Sequence, residues 1–234
     1  MTRLTLVGVG AMRSPRYAPA GLLLERGRCR VMFDGGPGAA PERPVDAWLV
    51  TDERAELIRD IAKLASASGV RPEVGRFVLG DGSTLRIRPL PVVHTSHPTY
   101  GYRIDVEGLR VAWLPEVLEL PAWSDRFDLV FADGAGWARP IRFAHGAGGH
   151  ACVLDVAREA RARGIQRLVF AHLGRPTIRA LDAGERPPFG EIGYDGQRFT
   201  LRASHITPAM AHAARARSAS TEGAAPSRST RLRS

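Results

Sequence analysis

Residues 47–57 read AWLVTDERAEL, and the rest of the chain is organised around this stretch. Its first half is apolar and ends on the β-branched Thr51, a pattern that predicts a short buried strand. From Glu53 to about Ala67, apolar residues recur at intervals of three and four, which predicts an amphipathic helix. Thr51 or Asp52 is placed to cap that helix, so charged side chains crowd a strand-to-helix turn, where α/β proteins commonly place their chemistry.

Outside this stretch the chain has the pattern of short strands joined by tight turns. We predict strands at Leu4–Val9, Leu22–Arg26, Arg30–Phe33, Arg76–Leu79, Leu85–Pro91, Tyr100–Val106, Leu109–Leu114, Leu129–Ala132 and Arg167–Ala171. A turn at Gly80-Asp81-Gly82 joins two of them, and a helix over about Val153–Arg163 ends at a glycine. After a loop containing Pro176, a last hairpin pairs Ile192–Gly193 with Arg198–Arg202.

Length and composition are those of one large globular domain. The chain has 234 residues, of which 44% are hydrophobic and 24% charged, enough to bury a sizeable core. It contains no run of 18 apolar residues, so we expect no membrane span. Cys29 and Cys152 have no metal-binding or redox spacing and make no disulfide framework, which favours a reducing compartment and a cytoplasmic location.

The net charge of +9 is distributed unevenly. Residues 207–234 contain five Arg and one Glu, a net charge of +4, which leaves +5 for the rest of the chain. This Ala/Ser/Arg-rich segment has no apolar stripe and no aromatic residue, so we predict a folded domain at 1–206 and a disordered tail at 207–234.

The basic balance makes a nucleic acid a candidate partner, because arginines of the tail could contact phosphates. The sequence has no recognition helix and no basic stripe interleaved with aromatic residues, so this is the weaker candidate. The oligomeric state is left open, with a homodimer as the commonest default.

Acidic or histidine side chains stand at the ends of six predicted strands. They are Asp34, Asp52, His94, Glu116, Asp133 and His172. Polar side chains repeated where strands stop should line one edge of a sheet sandwich. Imidazole with carboxylate is common ligation for zinc, manganese or iron, so His94, Glu116 and His172 are candidate metal ligands. The remaining loop or surface histidines are His97, His145, His205 and His212.

Two other kinds of site are set aside. Gly8-Val9-Gly10 follows a strand and Asp34 lies about twenty residues on, as in a dinucleotide site. The loop between them carries two prolines and no apolar stripe, so the phosphate-binding helix is missing. Cys152 or Ser96, each near a histidine in sequence, could be a nucleophile, but neither has a discernible activating setting.

The order of these segments resembles the metallo-β-lactamase fold, on the branch that includes ribonuclease Z and related phosphodiesterases. The matching segments are Leu6–Gly10, Phe33-Asp34-Gly35-Gly36, Pro91–Ile104, Trp113–Glu116, Leu129–Asp133, Gly149-His150 and Leu168–Leu173. The resemblance covers about residues 3–175 and implies an α+β fold, an αββα sandwich of two mixed sheets flanked by helices. It implies metal-ligand roles for His94, Glu116 and His172, and a pair formed by Asp133 and His150.

The chain departs from this family at residues 51–57, where the family signature is Thr-His-x-His-x-Asp-His. Asp52 and Arg54 stand where two of the histidines would be, and Glu56 stands at the aspartate. Leu57, which cannot bind a metal, stands at the third histidine. Arg54 would put a permanent cation where a metal's charge should be.

In a first hypothesis the chain is a metal-dependent hydrolase that acts on a phosphoester or related anionic substrate, either a small molecule or a nucleotide-like one. One divalent ion (Mn, Zn or Fe) would be held by His94, Glu116 and His172. Asp52 or Glu56 would complete the ligand set or act as general base. Asp133 and His150 would move a proton.

In a second hypothesis the chain is catalytically silent, binds no metal and takes an anionic ligand. Arg54 would form an internal ion-pair cluster with Asp52, Glu56 and Glu116 in the ion's place, because a buried arginine can be satisfied by carboxylates alone. Whether the chain is an enzyme stays open between these two hypotheses.

Overall fold

A computed structural model of the chain describes residues 1–80, 85–144 and 148–202. The predicted tail at 207–234 and the histidines at 145, 205 and 212 lie outside the described residues, as does most of the predicted turn at Gly80-Asp81-Gly82. In the part that is described, no helix is long and apolar enough to cross a membrane.

The first sheet has six strands and mixes parallel with antiparallel pairs. In spatial order they are Arg198–Leu201 (β15), Thr2–Gly8 (β1), Gly21–Arg26 (β2), Cys29–Asp34 (β3), Ala47–Leu49 (β4) and Pro72–Glu73 (β5). Strands β15 to β3 pair antiparallel, whereas β3, β4 and β5 pair parallel. The predicted strands at Leu22–Arg26 and Arg30–Phe33, which pair with each other, and the short strand that opens the residue 47–57 stretch are confirmed.

The second sheet has seven strands and is also mixed. In spatial order they are Glu191–Ile192 (β14), Leu168–Leu173 (β13), Leu129–Gly134 (β10), Leu109–Leu114 (β9), Thr99–Val106 (β8), Leu85–Val92 (β7) and Phe77–Leu79 (β6). Strands β6 to β9 pair antiparallel, and β9, β10, β13 and β14 pair parallel. A small two-stranded sheet joins Ile141–Arg142 (β11) to Gly149–His150 (β12).

Side-chain alternation assigns the faces of the first sheet. Leu22 and Leu24 of β2 belong to the large core that extends to the second sheet, whereas Leu23 between them belongs to a second cluster with Ile61 and Ala65. Those two residues lie on helix α1 (Ile58–Ser66), which therefore covers the outer face.

Helix α2 (Val153–Ala162) packs against β10 and β13 of the second sheet with its apolar side, and a third helix, α3, spans Arg175–Asp182. Two mixed sheets with helices on the flanks form the α+β sandwich that the resemblance implies.

Parallel strands bring the polar strand ends to one edge of the sandwich. Strands β9, β10 and β13 are parallel, so Glu116, Asp133 and His172, which lie at or just after their carboxyl ends, come together. Strands β3 and β4 are parallel in the first sheet, which brings Asp34 beside the start of the turn at Asp52. The predicted convergence on one edge is thus present.

The helix after β4 begins later than the sequence pattern predicts. It starts at Ile58 rather than Glu53, and no side chain caps it. Oδ1 of Asp52 accepts the backbone N–H of Arg54 (2.7 Å), and Oγ1 of Thr51 donates to Asp34 (3.0 Å). Residues 53–57 therefore precede the helix as a turn, Asp52 accepts an N–H of that turn and not of the helix, and the predicted cap is wrong.

The carboxyl-terminal part of the described chain also differs from the prediction. Pro176, predicted to lie in a loop, occupies the first turn of α3, where its missing N–H is not needed. The predicted last hairpin is wrong, because β14 joins the second sheet and β15 joins the first. Gly193 N–H donates to Phe170 and Gly196 N–H donates to Leu6, so the segment between these strands crosses from one sheet to the other.

Candidate functional site

A cavity of about 520 Å³ opens at the edge where the strand ends meet. Five of the six strand-end residues line it, namely Asp34, Asp52, His94, Glu116 and His172. His150 lines it as well and is hydrogen-bonded to the sixth, Asp133. The structure therefore brings together every residue to which the two hypotheses assign a role, including Arg54 and Glu56 on the turn.

We call one side of this cavity the histidine wall, comprising His94, Glu116, Asp133, His150 and His172. The opposite part, formed by residues 51–57, is the turn wall.

Within the histidine wall, the Glu116 carboxylate lies between two imidazoles. Its Oε2 is 3.8 Å from Nε2 of His94, and its Oε1 is 3.5 Å from Nε2 of His172. Both histidines are buried, and Glu116 is partly exposed. Burial lowers the pKa of His94, and this effect outweighs the nearby charge of Glu116.

The tautomer of His94 follows from its surroundings. Its Nδ1 lies 3.0 Å from the carbonyl oxygen of Gly149, which can only accept a hydrogen bond. Nδ1 therefore carries the proton, and Nε2 presents its lone pair toward Glu116. Metal-binding histidines are commonly oriented in this way by a backbone carbonyl on the other nitrogen.

Asp133 is fully buried and supports a second imidazole. Its Oδ2 accepts hydrogen bonds from Nδ1 of His150 (2.7 Å) and the N–H of Val117 (3.2 Å), and its Oδ1 accepts one from the N–H of Ala135 (2.8 Å). Burial acts to raise the pKa of Asp133, but the neighbouring imidazoles of His150, through its hydrogen bond, and of His172 outweigh it and lower that pKa. An ionised Asp133 leaves Nε2 of His150 as the free lone pair.

His172 has a left-handed backbone conformation, and one nitrogen of its ring lacks a hydrogen-bond partner among the described residues. It has φ of +58° and lies where the register of β10 against β13 shifts, a bulge that re-aims its side chain. Its Nδ1 has no hydrogen-bond partner among the described residues, and Oδ1 of Asp133 is 3.6 Å away. Burial acts to lower the pKa of His172, but the carboxylates of Asp133 and Glu116 raise it.

The donor atoms of the histidine wall fit a divalent metal ion. Two ligands at about 2.1 Å from a tetrahedral ion lie about 3.4 Å apart, close to the Glu116–His172 separation of 3.5 Å. His94 is slightly farther, at 3.8 Å. Asp133, His150 and His172 form an overlapping set whose donor atoms lie within 4.8 Å of one another. Two overlapping sets in the histidine wall could thus hold an ion.

The turn wall has a different character. Asp52 is buried, but Arg54 and Glu56 are exposed at the rim of the cavity. Among the described residues Arg54 makes no ion pair, so the predicted internal cluster of Arg54 with Asp52, Glu56 and Glu116 is wrong. The backbone of Arg54, not its guanidinium, is the group that contacts Asp52.

His97, which the sequence left among the loop residues, is a member of the site. Its Nε2 lies 2.8 Å from Oδ2 of Asp52, and it lines the same cavity. Both oxygens of Asp52 are therefore engaged within the protein, by His97 and by the N–H of Arg54. The sequence signal for His97 was its place three residues after His94, in a segment already assigned to the site.

Asp34 is a second residue with a role in the site that the sequence did not predict. It has φ of +46° and accepts from the N–H and Oγ1 of Thr51 at Oδ1 (2.8 and 3.0 Å) and from the indole N–H of Trp113 at Oδ2 (2.7 Å). Burial, with the nearby charge of Glu116, raises the pKa of Asp34 to about 7 despite these three donors. Asp34 thus ties the turn wall to β9 of the second sheet.

Comparison with solved structures identifies the fold. The metallo-β-lactamase fold protein YhfI from Bacillus subtilis is 17% identical and covers 86% of this chain and all of that one, with a TM-score of 0.65. Zn²⁺-bound PqqB from Methylobacterium extorquens is 13% identical, covering 85% of this chain and all of that one (TM-score 0.64). A diphosphatase from the PhnP family is 14% identical, covering 86% of this chain and 98% of that one (TM-score 0.61).

No protein-family model matches the sequence, and no curated protein matches it either. Identities this low establish the fold alone. The chain has the metallo-β-lactamase fold, as its order of segments implied.

Proposed function

We propose that the chain is a metal-dependent hydrolase of phosphoesters or related anionic esters, with one divalent ion at the histidine wall. The observation that carries the proposal is the convergence of Nε2 of His94, the Glu116 carboxylate and Nε2 of His172. The structurally similar PqqB binds zinc, and a structurally similar PhnP-family protein is a diphosphatase. Zinc, manganese and iron all accept imidazole with carboxylate.

We assign the ligands to His94, Glu116 and His172. Asp133 is left out because it already accepts three hydrogen bonds, from His150, Val117 and Ala135. Asp52 is left out for the same kind of reason, since both of its oxygens are engaged. A divalent ion held there would act as a Lewis acid on a phosphoryl oxygen and lower the pKa of water.

We assign to His150 the role of accepting a proton from the attacking water. Asp133 fixes its tautomer by accepting the Nδ1–H, so that Nε2 is the basic nitrogen. Phe143 packs edge-on against both His94 and His150, with ring centroids 5.3 and 5.4 Å apart, which restricts the two imidazoles and excludes water from that side.

The exposed residues at the rim would receive the substrate. Arg54 and Arg175 both line the cavity, and neither forms an ion pair in the described part of the chain. Guanidinium groups bind phosphate oxygens well, so we assign Arg54 a substrate-binding role. Glu56 is the alternative base, and its exposure makes it less suited to this role than His150.

The test is hydrolysis of bis(p-nitrophenyl) phosphate by protein stripped with chelator and then given Mn²⁺, Zn²⁺ or Fe²⁺. We expect activity that returns with one of these ions and is lost in the His94→Ala/His172→Ala double variant. Activity that chelation and added ions leave unchanged would contradict the metal dependence. A stripped protein that binds p-nitrophenyl phosphate but hydrolyses nothing under any ion would instead favour a silent, anion-binding protein.

A further inference from the structure

The pair formed by Asp52 and His97 has no role in the site described so far. Asp52 stands where the family signature has its first histidine, and His97 comes from the loop between β7 and β8. The two side chains meet across the cavity at 2.8 Å, between Oδ2 and Nε2. The turn wall thus receives an imidazole from another segment of the chain.

Both members of the pair are held in place. The Asp52 side chain is only 6% exposed, and its Oδ1 accepts the N–H of Arg54 at 2.7 Å, which leaves Oδ2 for His97. Oγ1 of Thr95 donates to the carbonyl oxygen of His97 at 3.0 Å, which orders the loop that carries the imidazole. The His97 side chain itself is 24% exposed, so a ligand in the cavity can reach it.

The pair has the same arrangement as Asp133 and His150, except that the carboxylate contacts the other nitrogen of the imidazole ring. In that pair the carboxylate engages Nδ1, and Nε2 remains for the substrate. In the Asp52–His97 pair the carboxylate engages Nε2, and Nδ1 remains. The cavity is therefore lined by two imidazoles, each oriented by its own buried aspartate.

Ester hydrolysis needs one group that takes a proton and one that supplies it. Water loses a proton as its oxygen bonds to phosphorus, and the leaving oxygen gains one as its bond to phosphorus breaks. The histidine wall accounts for the first transfer, through His150, but offers no group for the second. His97, which is bonded to the turn wall through Asp52, can supply this proton from Nδ1 when its imidazole is doubly protonated.

We propose that His97 is a catalytic residue that protonates the leaving oxygen of the ester, with Asp52 as its positioning residue. This inference rests on the proposed hydrolase function. The proton moves from Nδ1 of the doubly protonated His97 imidazolium, whose Nε2–H stays on Asp52, to the leaving oxygen, while His150 takes a proton of the attacking water. Both histidines then return to their starting states by exchange with solvent, so the net reaction is ester plus water to acid plus alcohol.

The test compares two diesters of equal charge that differ in leaving group. Bis(p-nitrophenyl) phosphate releases p-nitrophenolate, an anion that is stable without a proton. Diphenyl phosphate releases phenolate, and the pKa of phenol is about 10. We expect His97→Gln to lower kcat for diphenyl phosphate about 10²–10³-fold and for the nitrophenyl ester less than about 10-fold, with KM little changed. Asp52→Asn should show the same leaving-group bias at smaller size, about 10-fold.

Two variants serve as references. His150→Gln should slow both esters alike, since its proton transfer concerns water, and Arg59→Gln, exposed on α1 outside the cavity, should change neither rate. Equal loss on both esters in His97→Gln, or no loss, would overturn the inference while leaving the proposed function intact. If His97→Gln does not fold, as judged by circular dichroism, Asp52→Asn decides by the same ratio. A wild-type protein that cleaves neither ester would overturn both.

Discussion

The two walls of the cavity differ in how their residues are held. This difference explains why the sequence predicted the role of one wall better than that of the other. The histidine wall is made of single residues at or near strand ends, and hydrogen bonds hold three of them, His94, Asp133 and His150. The turn wall is one contiguous segment, and apart from Asp52 its charged side chains are exposed. We infer that metal binding belongs to the histidine wall and substrate contact largely to the exposed side chains of the turn wall.

The largest expected effect on kcat distinguishes the two candidate general bases, His150 in the histidine wall and Glu56 in the turn wall. His150→Gln removes the buried, Asp133-oriented imidazole and should lower kcat for bis(p-nitrophenyl) phosphate about 10²–10⁴-fold, with KM little changed. Glu56→Gln removes an exposed carboxylate and should lower kcat less than about 10-fold. Steady-state kinetics of the two variants check this, and the reverse ranking would assign the base to the turn wall.

A second prediction concerns the residue that joins the walls. Asp34 has a pKa near 7 in the folded protein and near 4 in the unfolded chain, so the folded state holds its proton more tightly. This contribution to stability is complete below about pH 4 and is lost as the pH rises toward 7, by up to about 4 kcal/mol. Above pH 7 it does not change further.

Urea unfolding from pH 4 to 8 in the presence of chelator measures this loss. The Asp34→Asn variant cannot titrate and should lack this component of the pH dependence. The variant also loses an acceptor for Trp113 or Thr51, which should lower its stability by a roughly constant 1–3 kcal/mol at all pH values. Wild-type and variant curves that run parallel across the range would refute the raised pKa.

The smallest expected effect tests whether the turn wall is structural. Arg54 is exposed and without an ion pair among the described residues, so Arg54→Ala should change the free energy of unfolding by less than about 0.5 kcal/mol. Loss of a buried ion-pair partner would instead cost about 3–5 kcal/mol. Chemical denaturation distinguishes these values, with Arg179→Ala, also exposed but outside the cavity, as the matched control. A loss in the larger range would restore the internal cluster hypothesis.

Sequence reasoning succeeded where the physical signal is local. Alternating or continuous apolar runs with turn residues between them predicted the strands, and polar residues at their ends predicted the cavity edge, because parallel strands end together. The end of α2 was predicted from Gly164, which adopts the left-handed conformation after the helix.

It failed where a tertiary contact outweighs a local preference. Asp52 is a good helix cap by type, yet His97, 45 residues away, competes for its carboxylate and Arg54 occupies the other oxygen. Strands β14 and β15 look like a hairpin, but each finds a longer partner strand in a different sheet. The spacing of His97 from His94 placed it near the site, but only the fold shows that it pairs with Asp52.

Metal stoichiometry across variants of both walls tests the central claim most directly. Elemental analysis of wild type and of Asp52→Asn should each give about one equivalent of a transition metal, and the His94→Ala/His172→Ala variant should give almost none. Wild type with less than about half an equivalent would contradict a metal site. Loss of the ion in Asp52→Asn would place the site in the turn wall as well, against the division of roles between the two walls.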